Sequence, residues 1–253
     1  MFIIENLTVA YLKGPVALLP TSLTLPAGGF TVLLGASGAG KSTMLRCLNG
    51  LVRPTAGRVL AAPLGDIAPA LRAHRRRTGM VFQQHHLIGR VSVLGNVLTG
   101  RLGHRPAWRS LLPMPRADRE MALRALDRVG LLALALRRAD SLSGGQQQRV
   151  GIARALVQQP QIILADEPVA SLDPTSAEAV LTLLRDICRD DGLTAVVSLH
   201  QLDLARRFAD RIIGLAAGTV VFDGPPAALD AAAVRAIYPG QPAALEPIME
   251  MHA

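Results

Sequence analysis

Two rhythms of apolar and polar positions run along this chain. Short β-branched and apolar runs, Phe30-Thr31-Val32-Leu33-Leu34, Gly79-Met80-Val81-Phe82, Ile162-Ile163-Leu164-Ala165 and Thr194-Ala195-Val196-Val197-Ser198, read as strands. Elsewhere apolar residues recur at three- and four-residue spacing. Ala122, Leu123, Leu126 and Val129 do so among charges, which predicts a helix over Arg116 to Val129. Strands alternating with helices predict one α/β domain on a mostly parallel sheet. From roughly Gln84 to Gln159 no run reads as a strand, so a helical subdomain is expected there, inserted into the sheet domain. Gly100 to Pro115 reads as an exposed loop carrying the only tryptophan, Trp108, either a packing anchor or a partner contact. Leu229 to Ala253, rich in alanine and proline, reads as a loosely packed tail.

Composition then excludes whole classes. With 253 residues, half of them apolar, the chain can bury a sizeable core, which rules against a disordered or fibrous protein. Its densest apolar run, Val129 to Leu136, falls far short of the roughly 18 to 20 residues that span a bilayer. The start, Met1-Phe2-Ile3-Ile4-Glu5, has no basic region leading into an apolar stretch, so a cytoplasmic location is expected. Cys47 and Cys188 lie in predicted helices away from other ligand-type residues and read as core filler. The net charge of +8 comes mainly from arginine, in clusters such as Arg75-Arg76-Arg77 and Arg137-Arg138. Nucleic acid, anionic headgroups and a plain solvated surface all fit such an excess, but only 3% of residues are aromatic, too few for base-stacking platforms.

Each of the four strands ends at a candidate chemical motif, as expected where ligands gather at the carboxyl ends of parallel strands. Gly35-Ala36-Ser37-Gly38-Ala39-Gly40-Lys41-Ser42 fits G-x-x-x-x-G-K-[ST] between a strand and the helix-compatible Thr43 to Leu48. In such a loop consecutive backbone N–H groups and a helix start face a phosphate. Lys41 adds a point charge for the β- and γ-phosphates, and the Ser42 hydroxyl is a ligand for Mg²⁺. Ile162 to Ala165 runs into Asp166-Glu167. Asp166 is placed to hold Mg²⁺ through a water, and Glu167 to act as general base on an attacking water. Ser143, Gly144, Gly145 and Gln146 open a second helix, Gln147 to Leu156, and so form a second anion-binding helix start. Two such starts complete a nucleotide site if both serve one site, or if two chains associate head to tail and each lends its second start to the other.

With Leu142-Ser143-Gly144-Gly145-Gln146 placed between the phosphate loop and the Asp166-Glu167 pair, the chain resembles the nucleotide-binding subunits of ABC transporters from about Ile3 to Gly224. The resemblance implies a P-loop NTPase core with an antiparallel β portion near the N-terminus and an inserted helical subdomain at about 84–159. It implies one nucleotide-binding domain over 1–224, followed by a C-terminal helix and tail over 225–253. In that family the signature string of one subunit closes over ATP held by the other, so Ser143 to Gln146 would act on a second copy. Tyr11 resembles the residue that stacks on adenine, and Thr43 joins the phosphate-binding set. Gln83 resembles the glutamine joining core to helical subdomain, a catalytic and Mg²⁺ position. Ser171-Leu172-Asp173 resembles the loop between subunits, and His200 the switch histidine on the γ-phosphate.

The implied assembly is a homodimer with Mg-ATP, two integral membrane permease subunits and an extracytoplasmic solute-binding protein, peripheral at the cytoplasmic face of the inner membrane. The Gln83 to Trp108 region is the expected contact with the permeases. Residues around the motifs, Arg138 to Ser141, Ile163 to Pro174, Ser198 to Ala205 and Gly100 to Gly103 ahead of Trp108-Arg109, narrow the resemblance to the ATP-binding subunits of phosphonate importers. Importers of phosphate, phosphite or amino acids share much of this pattern. A soluble ABC ATPase acting on DNA or ribosomes would carry long heptad insertions or tandem units, and the chain has neither, so no nucleic-acid partner is expected. A small-molecule kinase would not need Leu142 to Gln146.

Overall fold

The computed structural model describes residues 1–11, 16–84, 86–106, 108 and 112–240. It divides into two compact units, one made of the residues up to Leu71 and from Thr194 onward, the other of Arg72–Leu193.

The first unit contains an antiparallel sheet in which β1 (Phe2–Ala10) lies between β2 (Val16–Leu25) and β4 (Ala56–Ala61), with β5 (Gly65–Asp66) beyond β4. Phe2 and Ile4, then Leu7 and Val9, are buried along β1, a period-two pattern that slips by one residue where the pairing register shifts between Ile4 and Leu7. Its second layer is organised by β3 (Phe30–Leu34), all of whose residues are buried. β3 pairs in parallel with β8 (Thr194–Leu199) on one side and β9 (Arg211–Ala216) on the other, and β10 (Thr219–Gly224) returns antiparallel on β9. Both faces of β3 are buried, since every one of its residues is, and this fits its mostly apolar sequence. α1 (Lys41–Leu48) follows β3, and α7 (Leu202–Phe208) follows β8.

In the second unit β6 (Thr78–Val81) and β7 (Ile162–Asp166) pair in parallel from Thr78↔Ile162 to Val81↔Ala165. α2 (Leu71–Arg76) leads into β6. Between β6 and β7 the described residues hold α3 (Val93–Leu98), α4 (Arg116–Arg128), α5 (Gly144–Leu156) and short 3-10 turns; α6 (Pro174–Asp190) follows β7. Arg101 on a turn and Asp118 on α4 form an ion pair at 2.9 Å, with side chains 13% and 11% exposed.

The structure corrects two expectations. Gly100 to Pro115 is not wholly loop, because Thr99–His104 forms a 3-10 helix. A Cβ at Gly100 would overlap the Arg154 carbonyl, so the small residue lets this turn seat on α5, and Thr99 Oγ1 donates to the Asn96 carbonyl at 2.7 Å. The C-terminal segment is also better packed than its composition predicts. Asp230 caps α8 (Ala231–Ile237), and Leu229, Val234, Ile237 and Tyr238 are buried. The rest of the expected tail, 241–253, lies outside the described residues, as does Arg109. Among the described residues no helix is long and apolar enough to cross a membrane.

Candidate active site

Phosphate-binding geometry in the first unit begins where β3 ends. Gly35 follows Leu34, the chain turns through Ala36, Ser37, Gly38 and Ala39, and α1 starts at Lys41. Ser37 and Gly38 are exposed at the crest of this turn, and Lys41 is buried at its base. Lys41 Nζ donates to the carbonyls of Gly35 at 2.8 Å and Ala36 at 3.0 Å, so the cation braces the loop while its charge stays at the loop's centre. Gly40 caps α1 at φ 103°, a region closed to residues with a Cβ. A Cβ there would also stand 2.7 Å from the Ala17 carbonyl oxygen and 2.8 Å from Leu18 Cδ2. α1 therefore begins without a side-chain cap, and the N-terminus of a helix favours an anion. Ser42 and Thr43 are half-buried in its first turn, and the Tyr11 hydroxyl lies 3.4 Å from Thr43 Oγ1, its side chain 46% exposed.

His200 belongs to the same unit. Leu34 and Leu199 are partners across β3 and β8, so the phosphate loop and His200 leave neighbouring strands at the same end. His200 is exposed, and its carbonyl accepts a hydrogen bond from the Tyr238 hydroxyl at 2.8 Å.

In the second unit the pairing of Val81 with Ala165 sends Gln83 and the Asp166-Glu167 pair out of one end of β6 and β7. Gln83 is exposed, whereas Asp166 is 4% exposed at the end of an apolar strand. Glu167 is half-buried and sits at φ 44°, a left-handed backbone in a non-glycine residue. Such a conformation costs about 1–3 kcal/mol and is retained where the surroundings dictate the side chain's direction. The other helix start is here too. Ser143 Oγ accepts from the Gln146 N–H, and Gln146 Oε1 accepts from the Ser143 N–H at 3.0 Å, a reciprocal capping box on α5. Ser143 and Gly144 are exposed, so the helix start faces outward. Asp173 caps α6 by accepting from the Ser176 N–H at 3.0 Å, and hydrogen bonds from Ser176 hold its carboxyl below the usual range.

Two contributors escaped the sequence reading. Arg154 on α5 donates to the His86 carbonyl at 2.9 Å, tying the signature helix to the segment after Gln83, and burial lowers its pKa. His86 packs edge-on against Phe82 with ring centres 5.2 Å apart. The second is Tyr238, a lone aromatic near the chain end that no motif marks. Cys47 and Cys188, expected as core filler, are both buried, and burial pushes each thiol up to about 12.

A phosphate loop braced by its lysine, together with an outward-facing capped helix start in one chain, defines a nucleotide-binding cassette. The chain belongs to the ABC transporter family, whose profile matches residues 18–170. It is 58% identical over 262 residues to the phosphite import ATP-binding protein PxtA of Stutzerimonas stutzeri, covering 98% of this chain and 95% of that one. It is 61% identical over 241 residues to the phosphonates import ATP-binding protein PhnC 2 of Cupriavidus metallidurans, covering 94% and 86%. Among solved structures, a dimeric post-hydrolysis state of the ATP-binding cassette MJ0796 bound to ADP and Pi matches with a TM-score of 0.77 and 36% identity, over 89% of this chain and 99% of that one.

Proposed function

We propose that this chain is the ATP-hydrolysing subunit of a binding-protein-dependent importer of phosphonates. One observation carries the ATPase half of the reading: a braced phosphate loop and an outward-facing, capped helix start occur in the same chain. The names of its relatives support the solute, and the fuller coverage of the phosphite import protein keeps phosphite as the second reading.

In this mechanism two copies face each other head to tail. Gly35 to Thr43 of one copy cradle the triphosphate, Lys41 balances its charge, and Tyr11 stacks on the adenine. Ser143, Gly144, Gly145 and Gln146 of the other copy present the N-terminus of α5 to the γ-phosphate. Glu167 accepts the proton of the attacking water, directed by its left-handed backbone. His200 contacts the γ-phosphate and Gln83 senses its presence. Ser42, Gln83 and Asp166 would supply hard oxygen donors of the kind that suit Mg²⁺. When bound, the ion neutralises phosphate charge.

Closure of the pair drives two permease subunits, which the Gln83 to Trp108 segment engages; Ile88 and Trp108 are 52% and 63% exposed there. Arg154 carries the state of that segment to α5. The nucleotide-binding domain spans 1–224 with its helical subdomain at 84–159, and 225–253 forms a C-terminal helix and tail. The assembly sits peripherally at the cytoplasmic face of the inner membrane, with an extracytoplasmic solute-binding protein and no nucleic acid. The test is ATPase activity of the complex reconstituted with permease and binding protein. Stimulation by a phosphonate is expected, and phosphite alone stimulating would select the second reading. Stimulation by an unrelated solute, with none by either, would overturn both.

A further inference from the structure

The chain's last described helix is fastened at both ends to the segment that carries His200. At its start, the Leu229 carbonyl accepts from Arg206 on α7 at 2.7 Å, and the Asp230 carboxylate caps α8 by accepting from the Ala233 N–H at 2.8 Å. At its end, Ile237 packs over Gly214 of β9, and the neighbouring Leu215 carbonyl lies against Gly35, where a Cβ would overlap it. Tyr238 follows, 6% exposed, and donates its hydroxyl to the His200 carbonyl at 2.8 Å. Burial pushes the Tyr238 phenol up, and the nearby Gly35 backbone acts the other way. Since Leu34 and Leu199 are register partners, Tyr238 lies across the exits of two adjacent strands, one leading to the phosphate loop and the other to His200.

We propose that Tyr238 is a positioning residue that ties the His200 backbone to the end of α8, so that α8 sets where the histidine stands during hydrolysis. A phenol suits this role because it is rigid, is buried at the end of α8, and carries one O–H that reaches the His200 carbonyl. The inference rests on the reading of His200 as a γ-phosphate contact.

The test compares Tyr238→Phe, His200→Ala and the parental chain in the reconstituted complex. Tyr238→Phe keeps the ring and removes one hydroxyl. It is expected to lower kcat about three- to tenfold, the scale of one net hydrogen bond, with KM for ATP and melting temperature close to parental. Hydrogen exchange should rise at Leu199 to Leu202 and nowhere else. Parental kcat for Tyr238→Phe would overturn the proposal. So would a fall in kcat that comes with a lower melting temperature and exchange rising throughout the chain, since that reports packing alone. Parental turnover by His200→Ala would instead refute the histidine's role.

Discussion

Gly40→Ala puts the phosphate loop under a load that can be worked from its surroundings. The substitution asks alanine to hold φ 103° and places a methyl 2.7 Å from the Ala17 carbonyl oxygen and 2.8 Å from Leu18 Cδ2. Ala17 lies on β2 and Leu18 is fully buried, so neither neighbour can swing aside as a surface side chain would. Backbone strain of about 1–3 kcal/mol and overpacking of about 1–3 kcal/mol together give about 2–6 kcal/mol. If the loop keeps its shape, the cost falls on the fold, and at about 2–4 °C per kcal/mol the melting temperature drops by about 5–20 °C. If the loop yields instead, Lys41 and the start of α1 shift, and a loss of about 2 kcal/mol weakens ATP binding about 30-fold. Scanning fluorimetry and titration with a fluorescent ATP analogue read the two outcomes. Gly151→Ala is the control, since mid-helix in α5 the methyl has open room, and it should raise the melting temperature slightly. Parental melting together with parental affinity in Gly40→Ala would show that the loop carries no such load.

Two further predictions concern the groups that brace the units. Asp118→Leu leaves Arg101 buried without its carboxylate and should cost about 3–5 kcal/mol in denaturant unfolding, while Arg101→Met with Asp118→Leu should recover most of it; equal losses in the single and double variants would contradict this. Burial holds the Cys47 and Cys188 thiols neutral up to about 12, so neither should react with a disulfide reagent at about pH 8 in the native chain. In denaturant, where their ordinary pKa returns, both should react, and rapid native labelling of either would count against the packing described.

Legibility in the sequence followed burial. β3, β6, β7 and β8 are buried along their lengths, and their short, mostly apolar runs announced them. β2 contains Pro20 and only three buried positions, and β10 alternates exposed with half-buried residues. Such strands take their stability from pairing partners, which a local pattern does not record. The antiparallel portion came only through family resemblance. The C-terminal helix likewise came only through that resemblance: Ala231 to Ala233 say little, and α8 is held by Val234, Ile237 and Tyr238 meeting residues far away in the chain. The phosphate loop and Asp166-Glu167 were legible because their chemistry demands contiguous residues. Arg154 and Tyr238 act through backbone carbonyls, which carry no sequence identity.

If each nucleotide site is built from two copies of this chain, ATP itself must hold the copies together, and sedimentation of Glu167→Gln with and without Mg-ATP reads that dependence. With hydrolysis blocked at the general base, the variant should be monomeric without nucleotide and dimeric with it, and turn over ATP far below the parental rate. A variant that stays monomeric in saturating Mg-ATP would rule out the shared site, and one that hydrolyses ATP at the parental rate would refute Glu167 as the general base.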